Sequence, residues 1–452
     1  MRGIALVALL LLTSFSPALG NATAQPDIIE EYWYHSYLSL TQQVNQWEAD
    51  YPDTVKLVTA GQTELGREQW VVQISNWAND TAPNGSAKTK IYIDGGHHGN
   101  EHLGTELAFL VAEYYIEESA TGNEEALAVL ETTEIHVMIM LNADGNDADN
   151  RWNNNAIDLN RNYDHMWTEE ETRSGRGGPF SESETRNNAD YMAEYMVDAD
   201  LYVTMHTGVW ILAYPWGWTG DMPADWELYT HMADEIHANI SPDLPIRNAN
   251  AGIYPTHGTS RDYGYGVMGY PTFTFETDDE QFLLGTTEKV SDRLGLELEV
   301  MRYLIRDAWF WRAHLEVESV EISGDEITLD VNNVAHASTA NATLQWIDSA
   351  GEVGWNSSLF AVNASNSSHV ILDSTNLTMD EGGYWNLYYQ VRVVEVSRWV
   401  NETVDESLVS IIKVEDDGFL LGYGLFNPLS LIMALCAVAI LKPELSEIEI
   451  SE

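Results

Sequence analysis

The sequence contains a single cysteine, Cys436, among 452 residues. One cysteine cannot form an intramolecular disulfide, so the fold depends on core packing, on a bound metal ion, or on both. Basic residues are also few, because 21 Lys and Arg stand against 71 Asp and Glu and the formal net charge is −50. A surface this acidic repels the phosphates of nucleic acids, so we expect no nucleic-acid partner.

Both ends of the chain carry long apolar runs. Residues 1–24 contain an apolar run from Ile4 to Leu12 followed by small residues, which is the layout of a secretory signal peptide. Phe419 to Leu441 is uncharged over 23 residues, which is long enough for a transmembrane helix. We therefore expect an exported protein on the extracellular face of the cell membrane, anchored by this helix or secreted if it is processed. Residues 442–452 would form a short tail.

Between these ends the hydrophobic pattern changes once. In the first part, apolar strand patterns such as Ile91 to Asp94 alternate with helical patterns, which predicts an α/β domain. After about Glu316 only short alternating segments remain, separated by Asn, Ser, Asp and Gly, which predicts an all-β sandwich. We therefore predict an α/β domain over residues 27–313 and a β-sandwich spacer over residues 316–415.

The stretch GGHHGNE at 95–101 directly follows the strand pattern that ends at Asp94. His98 and Glu101 stand three residues apart where a helix is predicted to begin, so both side chains are within reach of one metal ion. An ordinary exposed helix with the same spacing is the alternative for this pair alone. His206 and Glu276 also lie at the ends of strand patterns, where open α/β sheets build their sites.

Four segments taken together resemble the zinc carboxypeptidases of the carboxypeptidase A type, across roughly Tyr32 to Trp311. They are HGNE at 98–101, RWNNNAIDLNRN at 151–162, MHTGVWILAYPWG at 205–217, and the segment from IYPTHGTSRDYGY to FTFE at 253–276. Their order and spacing match those of the family. The resemblance implies a mixed central sheet flanked by helices, one bound Zn²⁺ ion, and an enzyme that removes C-terminal residues from peptides.

The same resemblance implies a role for individual residues. The zinc ligands would be His98, Glu101 and His206, which leave a fourth position for water. Glu276 would be the general base, and Arg151 would stabilise the oxyanion of the tetrahedral intermediate. The terminal carboxylate of the substrate would be held by Asn160, Arg161 and Tyr254. Two acidic residues would orient a metal-binding histidine, namely Asp158 and, in a similar way, Asp144.

Counting from Tyr254, the residue that lines the specificity pocket in this family is Arg261. A guanidinium at the base of that pocket predicts a preference for peptides that end in Glu or Asp. The alternative is an arginine that pairs with Asp262 or another acid outside the pocket.

Two other functions remain open from the sequence. One is a zinc amidohydrolase that acts on N-acyl amino acids or cell-wall peptides, and the other is an inactive carboxypeptidase-like binding protein. The joint presence of Asn160, Arg161 and Tyr254 favours peptide C-termini, while the presence of Glu276 and of all the metal ligands argues against inactivity. We expect the protein to be a monomer.

Overall fold

The computed structural model describes residues 34–83, 87–175, 177–197, 199–277, 287–334, 339–392 and 398–412. The predicted signal peptide, membrane helix and tail lie outside these residues, so those three predictions are not addressed by the structure. Among the helices that the structure describes, none combines the length and the apolar character needed to cross a membrane.

The first part of the chain is built on one eight-stranded sheet in the order β1-β2-β4-β3-β5-β8-β6-β7. Its strands are β1 Val55–Gln62, β2 Glu68–Ile74, β3 Thr89–Gly95, β4 Thr133–Met138, β5 Leu201–His206, β6 Ile211–Tyr214, β7 Ile246–Asn248 and β8 Thr272–Glu276. Strands β4, β3, β5 and β8 are parallel to one another, and β6 is parallel to β7. The pairs β1 with β2, β2 with β4, and β6 with β8 are antiparallel. The predicted mixed sheet is confirmed.

Helices flank this sheet, and the longer ones bury an apolar face. They are α1 Tyr37–Asp50, α2 His102–Glu113, α3 Ser119–Thr121, α4 Glu124–Thr132, α5 Ala143–Asp147, α6 Ser183–Tyr195, α7 Trp226–Asn239, α8 Ala249–Gly252, α9 Ser260–Gly266 and α10 Thr287–Trp311. Helix α1 shows the pattern, because a capping box at Ser36 starts it and Leu40, Val44 and Trp47 are buried at helical spacing. Helix α2 is buried along almost its whole length, which fixes its first turn against the sheet.

The second part of the described chain is all β. Its strands are β9 Leu315–Ser323, β10 Glu326–Asn333, β11 Ala340–Ile347, β12 Val353–Asn356, β13 Phe360–Val362, β14 Asn366–Asp373, β15 Tyr384–Arg392, β16 Arg398–Thr403 and β17 Val409–Ile412. One sheet has the order β14-β10-β9-β17, and the other contains β12, β11, β15 and β16 with β13 paired to β11. Apolar side chains of both sheets form one buried cluster, as expected for two packed sheets.

The two parts have separate hydrophobic cores. Trp311 belongs to the core of the first part, and Ala313, two residues later, belongs to the core of the second. The junction is short and bonded on both sides: Arg312 pairs with Asp200 at 3.1 Å, and the Ala313 N–H donates to the Val391 carbonyl at 2.6 Å. The predicted domain limits at 313 and 316 stay a prediction, and the change of core between Trp311 and Ala313 agrees with them.

Candidate active site and metal centre

Three neighbouring strands end at the site. After β3, Gly96 adopts a φ of +71°, and a Cβ at this position would lie 2.9 Å from the Thr105 hydroxyl, so the turn towards His98 requires glycine. The last residues of β5 and β8, His206 and Glu276, are direct partners in the parallel ladder. The carboxyl ends of the parallel strands β3, β5 and β8 therefore bring together the segments that carry His98, His206 and Glu276, as the sequence pattern predicted.

His98, Glu101 and His206 form a compact buried group whose ligand atoms all lie within 4.8 Å of one another. The Nδ1 atom of His98 lies 2.7 Å from Oε1 of Glu101, and Nδ1 of His206 lies 2.9 Å from Oε2 of the same carboxylate. The two Nδ1 atoms are 3.2 Å apart. Both imidazoles thus turn the same ring nitrogen towards one point beside the carboxylate.

The opposite ring nitrogens have other partners, which orients the rings. Nε2 of His98 lies 2.9 Å from Oδ1 of Asp158, and Nε2 of His206 lies 3.2 Å from the Thr204 hydroxyl. Arg151 donates to Oδ2 of Asp158 at 3.1 Å and to Oε1 of Glu101 at 2.8 Å. A hydrogen bond on the far nitrogen is what holds a metal-binding imidazole in one tautomer, so Asp158 is placed as predicted.

Burial and charge shift the pKa values of the group. Burial lowers the pKa of His206 to about 4, which keeps its imidazole neutral and able to bind a metal. Burial acts in the same direction on His98, but the carboxylates of Glu101 and Asp158 outweigh it and raise the pKa of His98. Burial and the negative charge of Glu101 raise the pKa of Glu276 to about 8, near the range in which a carboxylate can accept and return a proton at neutral pH.

The predicted carboxylate clamp lies in the same cavity, which has a volume of about 360 Å³. Arg161 is anchored by a hydrogen bond from Nη1 to the Asn160 carbonyl at 2.7 Å, and its Nη2 lies 3.4 Å from the Tyr254 hydroxyl. The Asn160 side chain accepts from the Ser260 N–H at 2.9 Å. Tyr254 also lines the cavity and is 52% exposed. The structure thus brings together all three residues of the predicted clamp.

The sequence profile of the zinc carboxypeptidase family matches residues 40–291, which is more than half of the chain. The chain belongs to this family. It is therefore a zinc metallocarboxypeptidase, a peptide hydrolase that uses a catalytic Zn²⁺ ion, as the resemblance predicted.

Several carboxypeptidases are similar to this one. Carboxypeptidase B of Astacus astacus is 26% identical over 54% of this chain and 86% of its own length. Carboxypeptidase B of Rattus norvegicus is 26% identical over 55% of this chain, and this chain spans only 64% of the rat protein. The structure of bovine thrombin-activatable fibrinolysis inhibitor, bound to a tick carboxypeptidase inhibitor, shares the fold with a TM-score of 0.51 at 20% identity, covering 61% of this chain and 97% of that one.

The side chains present in this carboxypeptidase fit a zinc ion. Two imidazole nitrogens and one carboxylate that converge on one point are a donor set of catalytic zinc sites, in which one position stays open for water. The convergence is seen in the mutual distances of the His98, Glu101 and His206 ligand atoms.

Arg261 lines the same cavity and is buried. Its Nη1 donates to the Thr274 hydroxyl at 3.1 Å and its Nη2 to the Thr256 hydroxyl at 3.4 Å. Its Nε donates to Asp262 at 3.1 Å. The two alternatives from the sequence are therefore both met in part, because this arginine lies in the cavity and also pairs with Asp262.

One predicted role is wrong. Asp144 does not contact a metal-binding histidine, because its carboxylate accepts instead from Thr63, from the Leu65 N–H and from Arg67. The residue lies in α5, where the turn between β1 and β2 covers it. Asp144 lies close to the site residues in the sequence, and this closeness did not reveal its long-range partners.

Two neighbours of the site were missed by the sequence reasoning. Thr274 lines the cavity from β8, two residues before Glu276; side chains two apart in a strand share a face, and this signal was present in the sequence. Glu171 lies 4.0 Å from Arg161 and 3.0 Å from His257. No short-range pattern marks Glu171, because its partners come from distant segments.

Proposed function

We propose that this enzyme removes acidic residues, Glu or Asp, from the C-termini of peptides. In the proposed site His98, Glu101 and His206 hold the zinc ion, Glu276 is the general base, and Arg151 stabilises the oxyanion. When bound, zinc lowers the pKa of its water to about 7 and polarises the scissile carbonyl. The protein's own side chains would transfer the proton, stabilise the developing charge and hold the substrate.

The proton is handled by Glu276. Its carboxylate stands at the cavity beside His206, so it can accept the proton of the attacking water and deliver it to the leaving amine. Arg151 also lines the cavity, and 33% of its side chain is exposed. Its guanidinium would offset the negative charge that develops on the oxygen of the scissile carbonyl. These two roles rest on placement together with the resemblance to the family.

The terminal carboxylate of the substrate sets the cleavage position. Arg161 presents a planar pair of N–H donors beside Asn160 and the hydroxyl of Tyr254, which matches the two oxygens of a carboxylate. A peptide held in this way can offer only its last peptide bond to the metal, so the enzyme acts as an exopeptidase.

The preference for acidic residues is carried by the buried guanidinium of Arg261. Its Nε is taken by Asp262, whereas both terminal nitrogens bond threonine hydroxyls that line the cavity. Asp262 in turn accepts from the backbone N–H groups of Gly217 and Trp218, so its charge is shared among three donors. A side-chain carboxylate that enters the cavity can therefore bind the terminal nitrogens of Arg261.

A direct test compares matched blocked dipeptides that end in Glu, Phe, Lys or Gly. The zinc-loaded enzyme is expected to release Glu with the highest kcat/KM and to lose this activity with a chelator. The Arg261→Ile variant should reverse the preference between Glu and Phe, because the guanidinium is replaced by an apolar side chain of the cavity.

Arg306→Ile is the matched control, since it removes the same charge from the exposed face of α10 and should leave the ranking unchanged. Glu276→Gln should bind zinc but release no residue. An Arg261→Ile enzyme with the original preference would contradict the assignment of Arg261. Hydrolysis of N-acyl amino acids without any release from the dipeptides would favour the amidohydrolase alternative.

A further inference from the structure

A second group of carboxylates lies behind the loop that carries the active-site residues. Glu64, in the turn between β1 and β2, and Glu182 and Glu184, at the start of α6, place carboxylate oxygens within 4.8 Å of one another. Glu182 is 5% exposed and Glu184 is fully buried, whereas Glu64 reaches the solvent. This group is separate from the catalytic metal centre and is used by no step of the peptidase reaction.

The charges of the group are not balanced by the described residues. Within that part of the chain, none of the three carboxylates takes part in an ion pair, and Arg67, from the same turn as Glu64, pairs with Asp144 and Asp147 instead. Three like charges at this separation destabilise one another, more strongly where two of them are buried. A bound proton or a bound cation is needed to offset the repulsion.

The hydrogen-bond donors nearby are also too few. Oε1 of Glu184 is buried and has no hydrogen-bond partner among the described residues. The Ser183 hydroxyl lies 3.2 Å from Oε2 of Glu184 and 3.1 Å from Oε1 of Glu64, but its single proton can serve only one of them. A buried carboxylate oxygen that is left without a donor is costly, and a cation bound to the Glu184 carboxylate would offset that cost.

A simpler explanation accounts for only part of this arrangement. Acidic residues are favoured at helix N-termini by the exposed N–H groups and the helix dipole, and Asn153 and Asn155 each donate to Glu182 at 2.8 Å. These interactions satisfy Glu182. They supply no donor to the buried Oε1 of Glu184.

We propose that Glu64, Glu182 and Glu184 bind a calcium ion. The donors are all oxygen and mostly carboxylate, which selects a hard cation, and Ca²⁺ tolerates an irregular set completed by water. Solvent reaches the group on the side of the exposed Glu64, so water can fill the remaining positions. The ion would join the turn between β1 and β2 to the start of α6.

The proposed ion would also act on the active-site loop. Asn153 bridges Glu182 and Glu184 through its side-chain amide, at 2.8 Å and 3.3 Å, and it lies two residues after Arg151 in the sequence. Fixing the carboxylates therefore fixes the base of the loop that leads to Asp158 and Arg161. The proposal does not depend on the substrate preference or on the peptidase reaction.

The test uses the full-length zinc-loaded protein in calcium-free buffer and adds CaCl₂ alone. Isothermal titration calorimetry is expected to show one saturable site, and the Tm should rise with calcium concentration because the ion binds the folded state. Glu184→Gln should weaken calcium binding about tenfold or more, since affinity follows the number of charged ligands. Glu194→Gln, on the exposed end of the same helix, removes one charge elsewhere and should bind calcium as the wild type does.

Calcium-free Glu184→Gln is expected to melt at or above the Tm of the calcium-free wild type, because the substitution removes a repelling charge. That result separates lost binding from misfolding. The proposal is overturned if no saturable site is found, or if Glu184→Gln and Glu194→Gln bind calcium equally. It is also overturned if lowering the pH raises the Tm while calcium has no effect, which would assign the stabilisation to a buried proton.

Discussion

At the scale of single residues, Asp158 connects two charged groups of the site. One of its oxygens lies 2.9 Å from Nε2 of His98, and the other accepts from Arg151. Burial would raise the pKa of this carboxyl, but the positive charges of His98, Arg161 and Arg151 hold it well below its usual range. Asp158 is therefore ionised at neutral pH and can keep His98 oriented towards the proposed metal position.

We expect Asp158→Asn to bind zinc about 10- to 100-fold more weakly, as is typical when the partner of a metal-binding histidine is replaced. The amide can present its N–H₂ group to His98, which disturbs the tautomer that zinc requires. Competition against a chelating dye measures the zinc affinity. Asp164→Asn, an exposed change in the same loop, should have no effect. Equal zinc affinity in the two variants would show that Asp158 does not support His98.

The residues of the site differ in how far the sequence could predict them. His98 and Glu101 were accessible because a fixed three-residue spacing at a helix start carries geometric information. Asp144 was assigned wrongly because its partners, Thr63 and Arg67, are about 80 residues away and no local rule relates such positions. Both engagements of Arg261 were named as alternatives from the sequence, but their combination depends on how α9 meets β8, where Arg261 bonds Thr274.

At the scale of elements, the contact between α2 and β5 fixes the spacing of two proposed metal ligands, Glu101 and His206. Gly104, in the first turn of α2, packs on the backbone of His206, where an added Cβ would lie 2.8 to 2.9 Å from three backbone atoms. Glu101 directly precedes this helix and His206 ends β5. A change in the distance between the two elements therefore separates two proposed metal ligands.

We expect Gly104→Ala to lower both the Tm and the zinc affinity. Backbone atoms cannot yield as a flexible side chain can, so the overpacking should outweigh the gain of about 1 kcal/mol that alanine brings to a helix interior. Calorimetry gives the Tm, and dye competition gives the zinc affinity.

Gly295→Ala is the control, because a Cβ at this position of α10 meets nothing within 4 Å, and it should raise stability by up to about 1 kcal/mol. If both variants gained stability, the close packing of α2 on β5 would not be a constraint.

Helices and strands with a strong hydrophobic periodicity were predicted from the sequence, whereas short elements were not. The change from helix to strand between α10, which ends at Trp311, and β9, which begins at Leu315, carries no clear sequence signal, because apolar residues continue from one core into the next. Strands β9 and β10 pair across a turn at Gly324, which has a φ of +61°. Strand β7 has only three residues, too few for an alternating pattern to be recognised.

At the scale of the whole molecule, stability has to be maintained without disulfides in the described residues and with a large excess of negative charge. The only cysteine lies outside the described range, and the two cores meet through a junction of few residues. The net charge of −50 opposes compaction, because like charges spread over a folded surface repel one another. The amino-acid composition alone predicted this charge repulsion, because the repulsion depends on the number of charged residues and not on the fold.

Added salt should therefore stabilise the protein. Raising NaCl from about 0.1 M to about 1 M shortens the Debye length from about 10 Å to about 3 Å, which screens repulsion between surface carboxylates. Ion pairs at the surface are weakened as well, but only 21 basic residues are available to form them against 71 acidic ones, so the loss of repulsion should dominate. We expect the Tm from calorimetry to rise steeply at low ionic strength and to level off. NaCl and NaBr at equal ionic strength should act alike in the steep range if screening is the cause. A Tm that is flat or falls with NaCl would mean that the carboxylates are already neutralised, by protons or by bound cations.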